Sequence, residues 1–244
     1  MGLAAALATG LAAAAANPHP NATALPVDCP AGAHAIVEHF LSADCGECWD
    51  AAPPAQGASR APGGEPPEAG GWSLDWLVPT ASGDAAPLSP ASLPESAERL
   101  ARLGPYLAAR LQAPPGGFDT RTPLAPPDRA HRMWVHSSLP FKGYFGVQMH
   151  ARGLWPAGAT GWVGLVDPVP AGTDGSSIAR NVVRVLTGPV KLPAGAAAKD
   201  GVDPLFALRW PEMANPGGLM AVAWIEGRDG RILQVASDRC PDPK

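Results

Sequence analysis

The chain has little charge and no cluster of basic residues. Charged residues make up 16% of its 244 residues, and its formal net charge at pH 7 is -4. Binding to the phosphates of nucleic acid or to an anionic membrane surface depends on clustered lysine and arginine. The sequence therefore predicts that neither nucleic acid nor an anionic membrane is a partner.

Several motifs that mark common enzyme classes are also missing. The chain has neither the G-x-S-x-G of serine hydrolases nor the H-E-x-x-H of zinc proteases. It has no second C-x-x-C to complete a four-ligand zinc site. The glycines at residues 116–117 follow a proline in a turn rather than in a phosphate-binding loop. No cofactor is therefore predicted.

The composition is that of a folded protein with many turns. The chain has 30 prolines and 28 glycines, yet 46% of its residues are hydrophobic, which argues against disorder. It shows no internal repeat. Its length suits one large domain or two small ones.

The first 16 residues resemble the apolar core and small-residue cleavage site of a secretory signal. The usual basic start is missing, because no lysine or arginine occurs before Arg60. The stretch is shorter than the ~20 residues of a membrane-spanning helix. We therefore predict a signal segment over 1–16, a linker over 17–30 and an exported protein, periplasmic or secreted, with no membrane span in the mature chain. The alternative is a disordered alanine-rich tail.

The chain has four cysteines, and an even number in an oxidising compartment favours disulfides. Cys45 and Cys48 are most simply paired with each other, which leaves Cys29 and Cys240 near the two ends. A bridge between these would close a loop of about 210 residues and stabilise the fold by several kcal/mol in the chain-entropy model. We predict this bridge as structural; the alternative is a free surface thiol at each end.

Cys45 and Cys48 form a C-x-x-C motif directly after the apolar run 35–41, which reads as a buried strand. A C-x-x-C where a strand meets a helix is typical of thioredoxin-like redox proteins. The start of the helix offers free N–H groups, which favour a thiolate on the first cysteine. The pattern predicts Cys45 as the attacking nucleophile and Cys48 as the resolving thiol. Prolines at 53–54 and the Gly/Pro-rich stretch 57–71 imply a short or interrupted helix.

The rest of the chain divides into a mixed part and a β-rich part. Residues 71–78 favour a strand, and residues 92–111 favour a helix that Gly104 and Pro105 split in two. Residues 178–186 fit either a helix or a strand. Near the end, Asp229-Gly230 between two apolar runs predicts a hairpin.

These features together resemble a family of exported bacterial thioredoxin-like proteins, domain-of-unknown-function family 1223. The resemblance lies in the C-x-x-C followed by prolines, in residues 73–77, in the Asn-Val-Val-Arg at 181–184 and in the closing hairpin. At 73–77 the chain keeps the family's acid as Asp75 but has Ser73 where the family has histidine. The family has no assigned reaction.

The resemblance implies an α/β fold class, with a thioredoxin-like domain over 31–135 followed by a β-rich domain over 136–244. Thioredoxin-like folds place a cis-proline opposite the redox pair. Pro123, in a Thr-Pro pair, is the predicted residue for that place, where it would shape the substrate groove.

The charged neighbours of the motif are acidic. Asp44, Glu47 and Asp50 surround the two cysteines, and negative charge opposes thiolate formation. This predicts a low reduction potential and a weak oxidant. His39 would compensate if its side chain faced the pair.

The favoured function is thiol–disulfide exchange with an exported thiol-containing protein or a small thiol. One alternative is a non-catalytic binding or structural protein, in which Cys45–Cys48 is an inert bridge shielded by Trp49. Another is a copper-binding chaperone, since thiolates and imidazole suit Cu(I) and three histidines, His131, His136 and His150, lie further along the chain.

Overall fold

The structure is a computed structural model that describes residues 29–30, 33, 35–50, 71–113, 116–124, 131–193, 201–212 and 214–240. The predicted signal segment 1–16, most of the predicted linker 17–30 and the Gly/Pro-rich residues 57–70 lie outside the described residues. Within the described part, no helix is long and apolar enough to cross a membrane.

The described residues form ten strands and three α-helices. The strands are β1 (Ala35–Ser42), β2 (Gly71–Val78), β3 (Gly117–Pro123), β4 (His131–Ser137), β5 (Tyr144–Gly153), β6 (Thr160–Val169), β7 (Arg180–Lys191), β8 (Leu205–Arg209), β9 (Met220–Glu226) and β10 (Ile232–Ser237). The helices are α1 (Gly46–Asp50), α2 (Pro94–Leu103) and α3 (Pro105–Gln112).

Seven strands form one mixed sheet in the order β10-β9-β6-β7-β2-β1-β3, and three form a second sheet in the order β4-β5-β8. In the large sheet β1 and β2 are parallel and paired along their whole length. β7 joins β2 in parallel, with Asp75 opposite Val182. The remaining neighbours in this sheet, β3 with β1, β6 with both β7 and β9, and β9 with β10, are antiparallel.

The large sheet buries apolar side chains on both faces. One face packs against α2 and α3, and its core includes Ile36, Phe40, Trp76, Leu100, Leu107 and Trp224. On the opposite face, alternate residues of β6 and β9 pack against the three-stranded sheet, in a core that includes Val135, Val147, Met149, Val163, Ala223 and Ile225. The alternation follows from the two-residue period of a strand.

A buried ion network joins α2 to the large sheet. Arg99 Nη2 lies 2.6 Å from Glu38 Oε2, and Arg99 Nη1 lies 2.9 Å from Glu226 Oε1. Each carboxylate also accepts a hydrogen bond from an indole N–H, from Trp76 at 3.1 Å and from Trp224 at 2.9 Å respectively. Because a buried charge is costly unless it is paired and hydrogen-bonded, this network fixes α2 on β1 and β9 together.

Elements with strong local patterns agree with their predictions. The predicted helical segment splits at Gly104, and α3 begins at Pro105, whose missing N–H is harmless in the first turn. The predicted hairpin is confirmed as β9 and β10, with Gly230 at φ +77 in the turn. Residues 178–186, which fit either element, belong mostly to strand β7.

The predicted thioredoxin-like α/β fold is wrong. Among the described residues the structure is mostly β, at 48% strand and 17% helix, and the helix that contains Cys48 has five residues. The sheet takes β1, β2 and β3 from the segment before residue 135 and β6, β7, β9 and β10 from the segment after it. A C-x-x-C after a strand is a local pattern, and it does not determine which distant strands complete the sheet. The division into two domains stays a prediction.

Candidate functional site

Cys45 and Cys48 form a disulfide just after β1 ends. The turn that follows Ser42 is held by backbone hydrogen bonds, from Cys45 N to Ser42 O at 3.0 Å and from Ala43 N to Val78 O at 2.9 Å. Both cysteines are partly exposed. The strand-to-helix junction therefore places both cysteines in partly exposed positions.

Two glycines before and at the start of β3 pack against the disulfide. Gly116 has φ +78, and a Cβ there would lie 3.0 Å from Cys45 Cβ and 3.5 Å from Cys48 Sγ. Its carbonyl oxygen accepts a 2.9 Å hydrogen bond from Ser42 N, which ties this loop to the end of β1. Glycine suits Gly116 both for its backbone conformation and for the close approach to sulfur.

Pro123 lies far from the cysteines, so its predicted role opposite the redox pair is wrong. Gly117 pairs with Leu41 at the cysteine end of β1, whereas Pro123 pairs with Ala35 at the other end. Six residues along a strand separate these positions by about 20 Å. The cis peptide bond found in the described residues is Gly188–Pro189. The loop before β3, rather than Pro123, contacts the cysteines, and sequence distance alone did not show which end of the strand faces them.

Arg180, at the start of β7, is the charged side chain that the sequence reasoning missed. Its guanidinium is fully buried and lies 2.9 Å from Asp75 Oδ1. Nη2 donates to the carbonyl oxygens of Cys48 at 2.9 Å and Trp49 at 2.8 Å, and Nε donates to Ser176 Oγ at 2.9 Å. The permanent positive charge of Arg180 thus contacts the backbone of the cysteine motif from the interior of the protein.

The loop between β6 and β7 holds the end of α1. The last three carbonyl oxygens of α1 all have donors: Arg180 for Cys48 and Trp49, and both the N–H and the hydroxyl of Ser177 for Asp50. None of the five residues of α1 is buried. These hydrogen bonds satisfy the carbonyls that a helix end leaves without partners, and they position α1 where burial does not.

Trp49 packs toward the same loop. Its ring lies 4.8 Å from the Arg180 guanidinium, and its Nε1 donates a 2.6 Å hydrogen bond to Asp174 O. Its predicted role was to shield the disulfide. The contacts direct its ring to Arg180 and the loop, while Cys45 is partly exposed.

His39 lies in a row of charged groups across the sheet. It pairs in register with Asp119 on β3 and with Asp75 on β2, so all three side chains share the face that carries Arg180. His39 Nδ1 lies 2.6 Å from Asp119 Oδ1. Burial lowers the pKa of His39, but the hydrogen bond to Asp119 and the negative charges of Asp75 and Asp119 outweigh it, and the pKa is raised above 6.5. In the contacts that the structure describes, the hydrogen-bond partner of the His39 imidazole is therefore Asp119.

The charges around the disulfide are divided between solvent and interior. Asp44, Glu47 and Asp50 are exposed, so water and salt screen their charges. Arg180 is buried, where screening is weak. The sequence offered one indication of this cation: Asp75 in a buried strand needs a positive partner. That partner lies 105 residues further on, beyond any local pattern.

Cys29 and Cys240 form the second disulfide, the pairing that the sequence predicts. Their Cα atoms are 4.8 Å apart across a sequence separation of 211. The bridge connects the chain just before β1 to the residues just after β10. It closes the chain into one loop that contains every described residue.

The three candidate histidines of the copper alternative lie on the three-stranded sheet. His131 and His136 are on β4, and His150 is on β5. The His136 and His150 ring centroids are 5.3 Å apart, and His150 stacks on Trp134 at 4.8 Å. Among the residues that the structure describes, no three His, Cys, Asp or Glu side chains form a group able to hold a metal ion.

Neither a family model nor a curated protein matches the chain. Among solved structures, the chain is similar to HBP35 of Porphyromonas gingivalis, with 9% sequence identity and a TM-score of 0.50. The likeness covers 86% of this chain and 76% of that one. At this identity it shows a shared fold alone. That structure is also β-rich, in agreement with the correction of the predicted fold class.

Proposed function

We propose that the protein carries out thiol–disulfide exchange at Cys45–Cys48, with an exported thiol-containing protein or a small thiol as its partner. The observation that carries the proposal is a partly exposed disulfide of C-x-x-C spacing at the end of a buried strand. Exchange needs a sulfur that an attacking thiolate can reach.

Loop length also favours exchange over a purely structural bridge. In the chain-entropy model, a bridge across a separation of 3 stabilises the fold by about 2 kcal/mol. The Cys29–Cys240 bridge, across a separation of 211, contributes about 5 kcal/mol in the same model. The Cys29–Cys240 bridge is thus the more stabilising of the two disulfides in this model.

The proposed exchange proceeds in two steps. A substrate thiolate attacks Cys45 Sγ, the Cys45–Cys48 bond breaks, and its electron pair leaves with Cys48 Sγ. A second substrate thiolate then attacks the substrate sulfur of the mixed disulfide, which forms the substrate disulfide and releases the Cys45 thiolate. The two substrate thiols lose two electrons and two protons, and the cysteine pair gains them. The reverse sequence reduces a substrate disulfide.

Redox equilibration tests the proposal. The folded protein is incubated in graded dithiothreitol buffers, its thiols are trapped by alkylation, and each cysteine is assigned by mass spectrometry. We expect Cys45–Cys48 to reduce reversibly at about −200 to −270 mV, the range of known exchange proteins, with Cys29–Cys240 intact. Reduction only upon unfolding, or of both bridges together below about −300 mV, would identify a structural bridge and refute exchange.

Single-cysteine variants test the assigned roles. Cys48→Ser should form a stable mixed disulfide at Cys45 with 2-hydroxyethyl disulfide, because the resolving thiol is missing. Cys45→Ser should react far more slowly at Cys48. Equal reactivity of the two variants would contradict Cys45 as the attacked sulfur. A Cys29→Ser/Cys240→Ser double variant is the matched control and should keep wild-type exchange while losing stability.

A further inference from the structure

Arg180 is buried beside the cysteine motif, where it pairs with Asp75 and holds the carbonyl oxygens at the end of α1. We propose that Arg180 is a positioning residue that sets the reduction potential of Cys45–Cys48 by fixing Cys48 beside a permanent positive charge. This inference rests on the proposed function, since it concerns the regulation of the same cysteine pair.

The first support is the geometry of the guanidinium. It lies between Asp75, at 2.9 Å on one side, and the carbonyl oxygens of Cys48 and Trp49, at 2.9 and 2.8 Å on the other. With the hydrogen bond from Nε to Ser176 Oγ, its three nitrogens reach four acceptors in fixed directions. Lysine, a single charged nitrogen on a flexible stem, does not reproduce that fork.

The second support is burial. The side chains of Arg180 and Asp75 are 0% and 1% exposed, so the cation acts in a medium of low dielectric. Asp75 Oδ2 also accepts a 2.7 Å hydrogen bond from Asn181 N, which partly stabilises its negative charge. The carboxylates of Asp44 and Glu47 are exposed, so their opposing effect on a thiolate is screened by solvent.

The third support is the direction of electron flow. When a substrate thiolate attacks Cys45, the bonding electron pair leaves with the sulfur of Cys48, the residue whose backbone Arg180 holds. A nearby positive charge stabilises that departing thiolate, and a more stable thiolate is a better leaving group. It also stabilises the reduced state relative to the disulfide, which raises the reduction potential. Arg180 therefore counteracts the acidic neighbours that favour the disulfide.

The test compares the equilibrium of the folded full chain with dithiothreitol across four variants. Arg180→Met should lower the equilibrium constant for reduction about tenfold, which corresponds to about 30 mV. Arg180→Lys, which keeps the charge, should stay closer to wild type than Arg180→Met does. Asp75→Asn removes the opposing carboxylate and should shift the equilibrium the other way, toward the dithiol.

Arg184→Met is the matched control. Arg184 lies on the same strand, and its recorded ion pair is with Asp167, with Nε 3.9 Å from Oδ2. Its variant should remain within about twofold of wild type, which is under about 10 mV. The pH dependence of alkylation of the reduced pair gives a second readout, because Arg180→Met should move the titration of the thiols to higher pH.

The outcomes separate this inference from the proposed function. A wild-type pair that does not reduce reversibly refutes both. A reversible wild-type pair, with Arg180→Met unchanged or with Arg180→Met and Asp75→Asn shifted in the same direction, overturns the role of Arg180 and leaves exchange standing. If Arg180→Met does not fold, Arg180→Lys and Asp75→Asn still decide the question. A shift of Asp75→Asn toward the dithiol, with Arg180→Lys near wild type or shifted toward the disulfide, supports the role of Arg180. An Asp75→Asn variant that does not shift, or that shifts toward the disulfide, overturns it.

Discussion

Arg99→Met removes the cation that two buried carboxylates share. The side chains of Glu38 and Glu226 are 1% and 2% exposed, and both lie within 3 Å of the Arg99 guanidinium, at 2.6 and 2.9 Å. Methionine retains much of the packing volume, so the charge is the main loss. Removing one partner of a buried ion pair costs about 3–5 kcal/mol. Since a typical domain is stable by about 5–15 kcal/mol, this loss is a large part of the total.

Equilibrium unfolding in urea, followed by tryptophan fluorescence, measures the effect. Trp76 and Trp224 are buried beside the network and report directly on its loss. We expect a lower midpoint with an unchanged slope, which corresponds to reduced stability without a change in exposed area.

Two further variants separate charge from packing. Arg102→Met is the control: Arg102 lies on the same helix, 3.4 Å from Glu226 but 27% exposed, and its loss should cost about 1 kcal/mol. Adding Glu38→Gln to Arg99→Met removes one uncompensated charge and should restore about 1–3 kcal/mol. A loss below about 1 kcal/mol for Arg99→Met, or no recovery in the double variant, would refute the reasoning.

Three more predictions concern the site and its supports. His39→Gln should cost about 1–2 kcal/mol at pH 5.5 and little at pH 9, because a raised pKa gives stability that is present below pH 6.5 and lost as pH rises through the folded value. Urea titrations at both pH values check this, and a pH-independent difference would contradict it. Gly116→Ala should lower thermal stability by about 1–2 kcal/mol more than Gly172→Ala, since both have positive φ but only a Cβ at Gly116 meets other atoms within 4 Å. Equal losses in calorimetry would sink that argument. Replacing both Cys29 and Cys240 with serine should lower the free energy of unfolding by about 5 kcal/mol, and a loss under 2 kcal/mol in urea would show that the long-loop estimate fails here.

Local patterns predicted the elements around the site but not how they join. The apolar run before Cys45 predicts β1, the leucine spacing predicts the helices, and Asp229-Gly230 predicts the closing hairpin. Each of these depends on neighbours within a few residues. The pairing of β2 with β7 joins positions more than 100 residues apart, and no periodicity in the sequence encodes it. The thioredoxin-like prediction failed for this reason.

The candidate site was also predictable only where its residues follow a local pattern. Its two cysteines follow from their spacing, since a C-x-x-C after a strand is a recognised sequence pattern. The cation beneath them does not, because Arg180 is brought to Cys48 by the loop between β6 and β7. The sequence predicts a turn at Gly116, and its positive φ agrees with that prediction. A turn pattern does not show that this glycine lies close to the cysteine sulfurs.

The pairing between β2 and β7 is the part of the large sheet that we expect to be weakest under mechanical load. β1 and β2 are in register along eight residues, whereas the register of β2 with β7 is recorded at Asp75 and Val182, reinforced by the Arg180–Asp75 ion pair. Under a force that pulls β1 away from β6, we expect the sheet to separate first at this pairing, because it has the shortest recorded register. Arg180 would then separate either from Asp75 or from the carbonyl oxygens of α1, so the cysteine motif would lose a contact that ties it to the sheet.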